Sequence, residues 1–293
     1  MEHNFEPMST GMVLDRSFKL YLDNFALMIG LSAILNVPLL VISLVFNVGA
    51  IQPAQVNSAT IVAVLIGSFL GLLAIFIISP LIAGATIMAI SDVYRGNPST
   101  SGAVLARVWS KAWTLLKNQF LVGLISFGLF FAATLVLGVA IGVLTLFGLP
   151  PVAGGILLVF GLLAAFAGFV PILLPYVLIS PIVMIEGSNN GRTIRKRCWE
   201  LVKGYRGKVF LVFAVIIVVQ VLIQLGIGVV ASVGFGLGQG SVAISIAQHV
   251  ISLLVTPMTA IAVTLLYYDF RIRKEGFDLE VLSQSIGRSA SEA

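Results

Sequence analysis

The chain alternates between long runs without charge and short segments dense in it. No Asp, Glu, Lys or Arg occurs in 24–91, 118–185 or 209–268, stretches of 68, 68 and 60 residues. One membrane-spanning helix needs about 20 apolar residues, so each stretch holds a hairpin of two. Turn-forming residues break each run near its middle. They are Asn47 to Thr60, the Gly148-Leu149-Pro150-Pro151 step, and the glycine-rich Gly234 to Ser241. The predicted spans are 25–47, 61–90, 120–147, 152–184, 209–233 and 242–268.

The pattern recurs three times. An amphipathic segment precedes each hairpin, with apolar markers at i, i+4, i+7 and i+11, one face of an α-helix. The copies are Leu14, Phe18, Tyr21, Phe25; then Leu105, Trp109, Ala112, Leu116; then Ile194, Cys198, Leu201, Tyr205. The second helix of each hairpin carries a Ser/Thr-Pro step, at Ser79-Pro80, Ser180-Pro181 and Thr256-Pro257. Proline removes a backbone donor and bends the helix, and a neighbouring hydroxyl re-satisfies the freed group. Pro80, Pro181 and Pro257 are therefore predicted kinks. The expected architecture is an all-α integral membrane domain over 1–276. It comprises three repeats of an interfacial elbow plus a hairpin, at about 9–96, 99–187 and 190–276, followed by a short polar tail, 277–293.

Composition agrees with this layout. Hydrophobic residues are 59% of the chain and charged residues 10%, against about 25% charged in a soluble domain. All 17 basic residues lie between the hairpins or at the termini, and none lies in the three opposite turns. The positive-inside rule places both termini and both connecting segments in the cytoplasm. The first 24 residues include Glu2, Glu6, Asp15 and Asp23, unlike a cleavable signal peptide, so the first span is expected to act as a signal anchor.

Chemistry-bearing residues are sparse. The one cysteine, Cys198, allows no internal disulfide, and two histidines offer little to a metal. No catalytic, metal or cofactor site is expected. Ionisable groups inside a membrane usually mark function, yet all 12 acidic residues lie outside the spans or at their charged ends. Asp92, Glu186 and Asp269 are the only carboxylates placed for interfacial chemistry, and pairing with nearby Arg or Lys is the simpler role. His249 is expected near the outer surface, bonded to water or backbone. Gln220, Gln224 and Thr256 share a depth in the last hairpin, where interhelical hydrogen bonding competes with a polar solute path.

The segment 191–208 carries Arg192, Arg195, Lys196, Arg197, Lys203, Arg206 and Lys208 against one acid, and Arg107 and Lys111 occupy the corresponding segment of the second copy. Trp109, Trp113 and Trp199 sit among them, where indole prefers the headgroup level. These nine cations are the candidate contacts for anionic lipid or for a protein partner, including another copy of the chain. No nucleic-acid recognition motif accompanies them.

Two segments carry a resemblance. The run Leu14-Asp15-Arg16-Ser17-Phe18-Lys19-Leu20-Tyr21 with Asn24-Phe25, and the closing Tyr267-Tyr268-Asp269-Phe270-Arg271-Ile272-Arg273-Lys274-Glu275-Gly276-Phe277-Asp278, resemble the prokaryotic family labelled the glycerophosphoryl diester phosphodiesterase membrane domain. The resemblance implies a membrane module. It does not imply the phosphodiesterase activity of members that also carry a soluble catalytic domain, for which about 25 residues after the last span leave no room.

The sequence thus leads to a non-enzymatic module of a bacterial plasma membrane that organises lipid or a partner. A transporter or channel with a path between kinked helices is the alternative. A reporter active only outside the cytoplasm, fused within 49–58 or 235–241, is expected to be active at both sites. Inactivity at both would reverse the topology.

Overall fold

The computed structural model describes residues 6–45, 58–94, 100–148, 150–234, 236 and 242–276. Most of the first and third predicted turns, and the predicted tail 277–293, lie outside the described residues. The elements among them are helical. They are α1 (Thr10–Asp23), α2 (Phe25–Val45), α3 (Ser58–Tyr94), α4 (Ser101–Leu146) and α5 (Pro151–Leu173). A 3₁₀ turn, Leu174–Leu178, a single α turn, α6 (Ile179–Pro181), and a π turn, Ile182–Glu186, then lead to α7 (Gly191–Val202). Next come α8 (Arg206–Val229), which closes in a π turn, Val230–Gly234, and α9 (Val242–Glu275). Five helices are long and apolar enough to cross a membrane, and α2 makes a sixth if its two bent halves count as one span.

Two of the predicted elbows are separate helices and one is not. Asn24 divides α1 from α2, its backbone N–H turning back to Leu20 O. Gly204, with φ of 90°, divides α7 from α8, a left-handed conformation that glycine adopts without strain. The corresponding junction of the second copy, Leu116-Lys117-Asn118-Gln119-Phe120, holds neither Gly nor Pro. Elbow and span there run together as one helix of 46 residues. Its buried face is Val104, Val108, Ala112, Leu115, Asn118 and Val122, one position off the predicted stripe at Leu105 and Leu116. Trp109 and Trp113 consequently point outward.

Packing is concentrated at the charged end. Every residue of α9 from Ala260 to Phe270 is buried, as are Leu81–Ile82 and Gly84–Ser91 of α3 and Ile182–Met184 of the π turn. The buried residues of α8, Val209, Val212 and Ile216, also lie near this end. Farther out, α4 and α5 expose Phe127, Phe131, Phe160 and Phe166. Acyl chains cover such surface at little cost because lipid tails are as apolar as leucine. Neighbouring helices follow the order α5, α4, α3, α2, α9, α8, with α9 also packed on α1 and α3.

Proline acts through a hydrogen bond between helices. Pro257 lacks the N–H that would bond Leu253 O, and that carbonyl instead accepts from the Ser32 hydroxyl of α2 at 3.0 Å. Asn36 donates to both Ser32 Oγ and Ser32 O at 2.9 Å, holding the serine in place. The neighbouring Thr256, expected to repair the kink, bonds Ser252 O at 2.6 Å. In α2, Pro38 opposes the carbonyl of Ile34, and the helix turns by 43° between Phe25–Ile34 and Asn36–Ile42. Pro80 lies inside the continuous α3, whereas Pro181 sits where 3₁₀, α and π geometry succeed one another.

Ser32→Ala is expected to cost about 0.5–1.5 kcal/mol of stability, read by unfolding in detergent micelles. In a Pro257→Ala background the cost should fall toward zero, because Leu253 O regains a backbone donor. Equal costs in both backgrounds would separate the serine from the proline.

Candidate functional site

The charged end is a web of ion pairs. Asp269 of α9 has no solvent exposure, and four bonds converge on its carboxylate. Met8 N–H donates to Oδ1 at 2.6 Å, Lys208 Nζ to Oδ2 at 2.6 Å, and Arg273 Nε to both oxygens at 3.1 Å. Met8 O in turn accepts from Lys208 Nζ at 2.6 Å and from Arg273 Nη2 at 2.8 Å. The segment before α1, the first turn of α8 and the end of α9 thereby meet at one carboxylate.

Glu186 and Asp92 do related work. Glu186 accepts from Arg197 Nε at 3.3 Å and from the Tyr267 hydroxyl at 3.0 Å. Arg197 also reaches Glu275 at 2.5 Å, and Glu275 is bridged by Arg271 at 2.9 Å. Burial lowers the pKa of Arg197, but Glu275 and Glu186 outweigh it and leave the guanidinium held more firmly charged. Asp92 pairs with Arg107, joining the end of α3 to α4. All three interfacial carboxylates are thus paired with Arg or Lys, the simpler of the two roles open to them.

The nine candidate cations divide into two groups. Arg107, Arg197 and Lys208 are bound to acids as above. Lys111 Nζ donates to Met184 O at 2.8 Å, Arg195 Nη1 lies 3.4 Å from Asn118 Oδ1, and Arg206 lies over the Trp199 ring at 4.5 Å. Arg192, Lys196 and Lys203 remain exposed. Among the described residues, Lys196 alone of these has an acidic neighbour, Glu200, at 3.6 Å, and its side chain is 78% exposed. Arg192 and Lys196 lie at i and i+4 on the side of α7 opposite its buried Ile194, Cys198 and Leu201, and Lys203 follows directly after the helix end. The apolar face of this elbow packs on the protein core and not in the acyl boundary, as an interfacial helix would. Trp109 and Trp113, 75% and 78% exposed, flank the charged end on α4.

Gln220, Gln224 and Thr256 do come together. With Ser252 they contribute the polar lining of a groove of about 530 Å³ between α8 and α9, completed by Val221, Leu225, Ile251 and Val255. The buried residues of α8, Val209, Val212 and Ile216, continue along one face to Ile223, Ile227 and Val230. Those last three line a second, apolar hollow of about 420 Å³ with Ile244 and Ala247 of α9. Gln220 lies on that same face, one turn on from Ile216, while Gln224, Val221 and Leu225 turn progressively away from it. The groove opens to the surface at Val221, Gln224, Leu225 and Ser252, which are exposed, and Gln220 is half-buried at its inner edge. His249 Nδ1 lies 2.9 Å from Ser245 O, a backbone contact of the expected kind.

Sequence reasoning missed the Met8 and Lys208 partners of Asp269, the Ser32 bond to α9, and Lys274, which donates to Glu200 O and to Lys203 O, the latter at 2.7 Å. Backbone acceptors leave no side-chain signal. The equal spacing of Pro80 to Asp92 and Pro257 to Asp269 was the available pointer to the two acids.

The long apolar helices define the class: this is a multi-pass helical membrane protein. No protein-family model matches the chain, and neither a curated protein nor a solved structure does.

Burial raises the pKa of the Cys198 thiol to about 12, and its side chain is sealed in the core. The thiolate is the reactive form. A membrane-permeant maleimide at pH 8 is therefore expected to label Cys198 at least about 100-fold more slowly than the denatured chain. Equal rates would mean that α7 does not pack as described.

Proposed function

We propose that this protein is a non-enzymatic module of a bacterial plasma membrane that gathers anionic lipid headgroups around a cytoplasmic charged end. The observation that carries this reading is the exposure of Arg192, Lys196 and Lys203, although most of the surrounding cations are consumed in holding the fold. Near an anionic leaflet each such residue contributes about 1 kcal/mol. Exposed Trp109 and Trp113 supply the indole rings that favour the headgroup level. The confinement of all 17 basic residues to one side of the predicted topology supports the cytoplasmic assignment. On this reading, the likeness of 14–21 and 267–278 to the phosphodiesterase-associated membrane family is one of module and not of activity.

The test uses protein reconstituted in bilayers of mixed phosphatidylglycerol and phosphatidylcholine, with bound lipid identified by native mass spectrometry. Phosphatidylglycerol should be enriched, and Arg192→Gln/Lys196→Gln/Lys203→Gln should abolish most of that enrichment without changing the unfolding midpoint. Arg197→Gln, by contrast, should lower the midpoint. Absence of enrichment in the native chain, or full enrichment in the triple variant, would defeat the proposal.

A further inference from the structure

Both walls of the groove between α8 and α9 are built on one spacing. α8 supplies Gln220, Val221, Gln224 and Leu225, and α9 supplies Ile251, Ser252, Val255 and Thr256. Each set runs i, i+1, i+4, i+5, so each wall presents one polar row beside one apolar row. Thr256 bonds Ser252 O at 2.6 Å. Among the described residues, the amides of Gln220 and Gln224 and the hydroxyl of Ser252 have no hydrogen-bond partner.

Their depth makes this unusual. Lys208 is the last charged residue before the long apolar part of α8. The two amides follow it by about 18 and 24 Å along the helix, inside a hydrocarbon layer about 30 Å thick. Acyl chains offer neither donor nor acceptor, so polar groups at this depth are costly unless paired. Each amide brings two N–H donors and a carbonyl acceptor, and the serine hydroxyl both donates and accepts. No titratable side chain lines the groove. An ionised occupant would lose its hydration and find no countercharge, whereas a neutral one meets donors and acceptors together.

The surroundings show how such an occupant would lie. Ser245, Gln248, Ser252, Thr256 and Thr259 recur along α9 at i, i+3, i+7, i+11 and i+14, one face of a helix. All five are exposed or half-buried. This polar row runs into the groove from the end of α9 remote from Asp269, and it stops at Val263, which is buried with Ala260. The groove is therefore closed toward the charged end. Beside it Val218, Val221, Leu222 and Leu225 form an exposed apolar ridge on α8. At about 530 Å³ the space falls in the range of small-molecule sites, about 300–1,000 Å³.

We infer that the groove binds a neutral amphiphile. Its uncharged head, carrying hydroxyl or carbonyl groups, bonds Gln220, Gln224 and Ser252, and its hydrocarbon chain lies on the α8 ridge. Water alone would leave that ridge and the apolar half of the lining unused. The site is distinct from the proposed anionic-lipid contacts, since Arg192, Lys196 and Lys203 belong to α7 and its end.

The test irradiates protein in phosphatidylcholine vesicles with a monoacylglycerol that carries a diazirine in its chain, and maps labelled peptides by mass spectrometry. Labelling within 218–225 and 251–256 should saturate and should be displaced by excess unlabelled monoacylglycerol. Gln220→Leu/Gln224→Leu should raise the half-saturating concentration about five- to tenfold, as expected for losing the intramembrane hydrogen bonds of two side chains. Ile227→Leu, in the apolar hollow on the other flank of α8, should leave it unchanged. Diazirine-bearing phosphatidylglycerol should label these peptides only in proportion to its concentration, as bulk lipid does.

The unfolding midpoint and the slow labelling of buried Cys198 show whether each variant keeps its fold. Phosphatidylglycerol enrichment at the charged end should be the same in the leucine pair as in the native chain, so the two sites stand or fail separately. Labelling that never saturates, that the leucine pair does not weaken, or that saturates equally with phosphatidylglycerol would overturn the inference. So would a groove shielded from the monoacylglycerol in the native chain, as a docked helix or second copy would leave it.

Discussion

The buried carboxylate of Asp269 is the constraint on which the charged end of this protein depends. A carboxylate loses several kcal/mol of hydration on burial, and it stays charged only where donors and countercharges replace water. Here Lys208, Arg273 and the backbone N–H of Met8 provide them. Two cations around one acid leave a local excess of positive charge, and Met8 O accepts from both of them. Removal of the acid would leave Lys208 and Arg273 facing each other with an orphan N–H between them. Breaking such a buried pair typically costs about 3–5 kcal/mol. The same contacts fix the path of the chain, because Met8 is separated from Asp269 by 261 residues.

The remaining pairs extend this arrangement around the charged end. Glu186 and Glu275 hold α7 through Arg197, and Asp92 holds α4 through Arg107. Apolar packing between helices has little driving force in lipid, where exposed and buried leucine differ by small amounts. At the charged end, which faces water on the proposed topology, burying apolar side chains regains its usual value. That contrast accounts for a protein whose core, Tyr267, Tyr268, Phe270 and their neighbours, lies at one end while the helices beyond it expose phenylalanine and valine.

The elements and their ends were largely legible in the sequence because two strong signals set them, absence of charge and the position of Gly, Asn and Pro. The observed α5 with its irregular extension, α8 with its π turn, and α9 lie close to the predicted spans. The fusion of elbow and span in α4 was legible only from an absence, since no breaker separates Leu116 from Phe120. The pairing of Asp92, Glu186 and Asp269 followed from their surroundings, but their partners did not, because sequence distance says nothing about which helices meet. The nine candidate cations looked equivalent in the sequence. Structure separates them, since Arg197 and Lys208 are bound to acids and Lys196 is open to solvent.

Orientation was the least legible property. Gln220 and Gln224 stand at i, i+4 in the sequence, which fixes that they share a face but not which neighbour that face meets. The buried run Val209, Val212, Ile216 fixes the inward side of α8; Gln220, one turn on from Ile216, continues that side half-buried, and Gln224 is exposed at its edge. Hydrogen-bonding capacity is cheap to leave unmet in water and costly in hydrocarbon, so the position of these two amides relative to the membrane, more than their chemistry, decides what they are for.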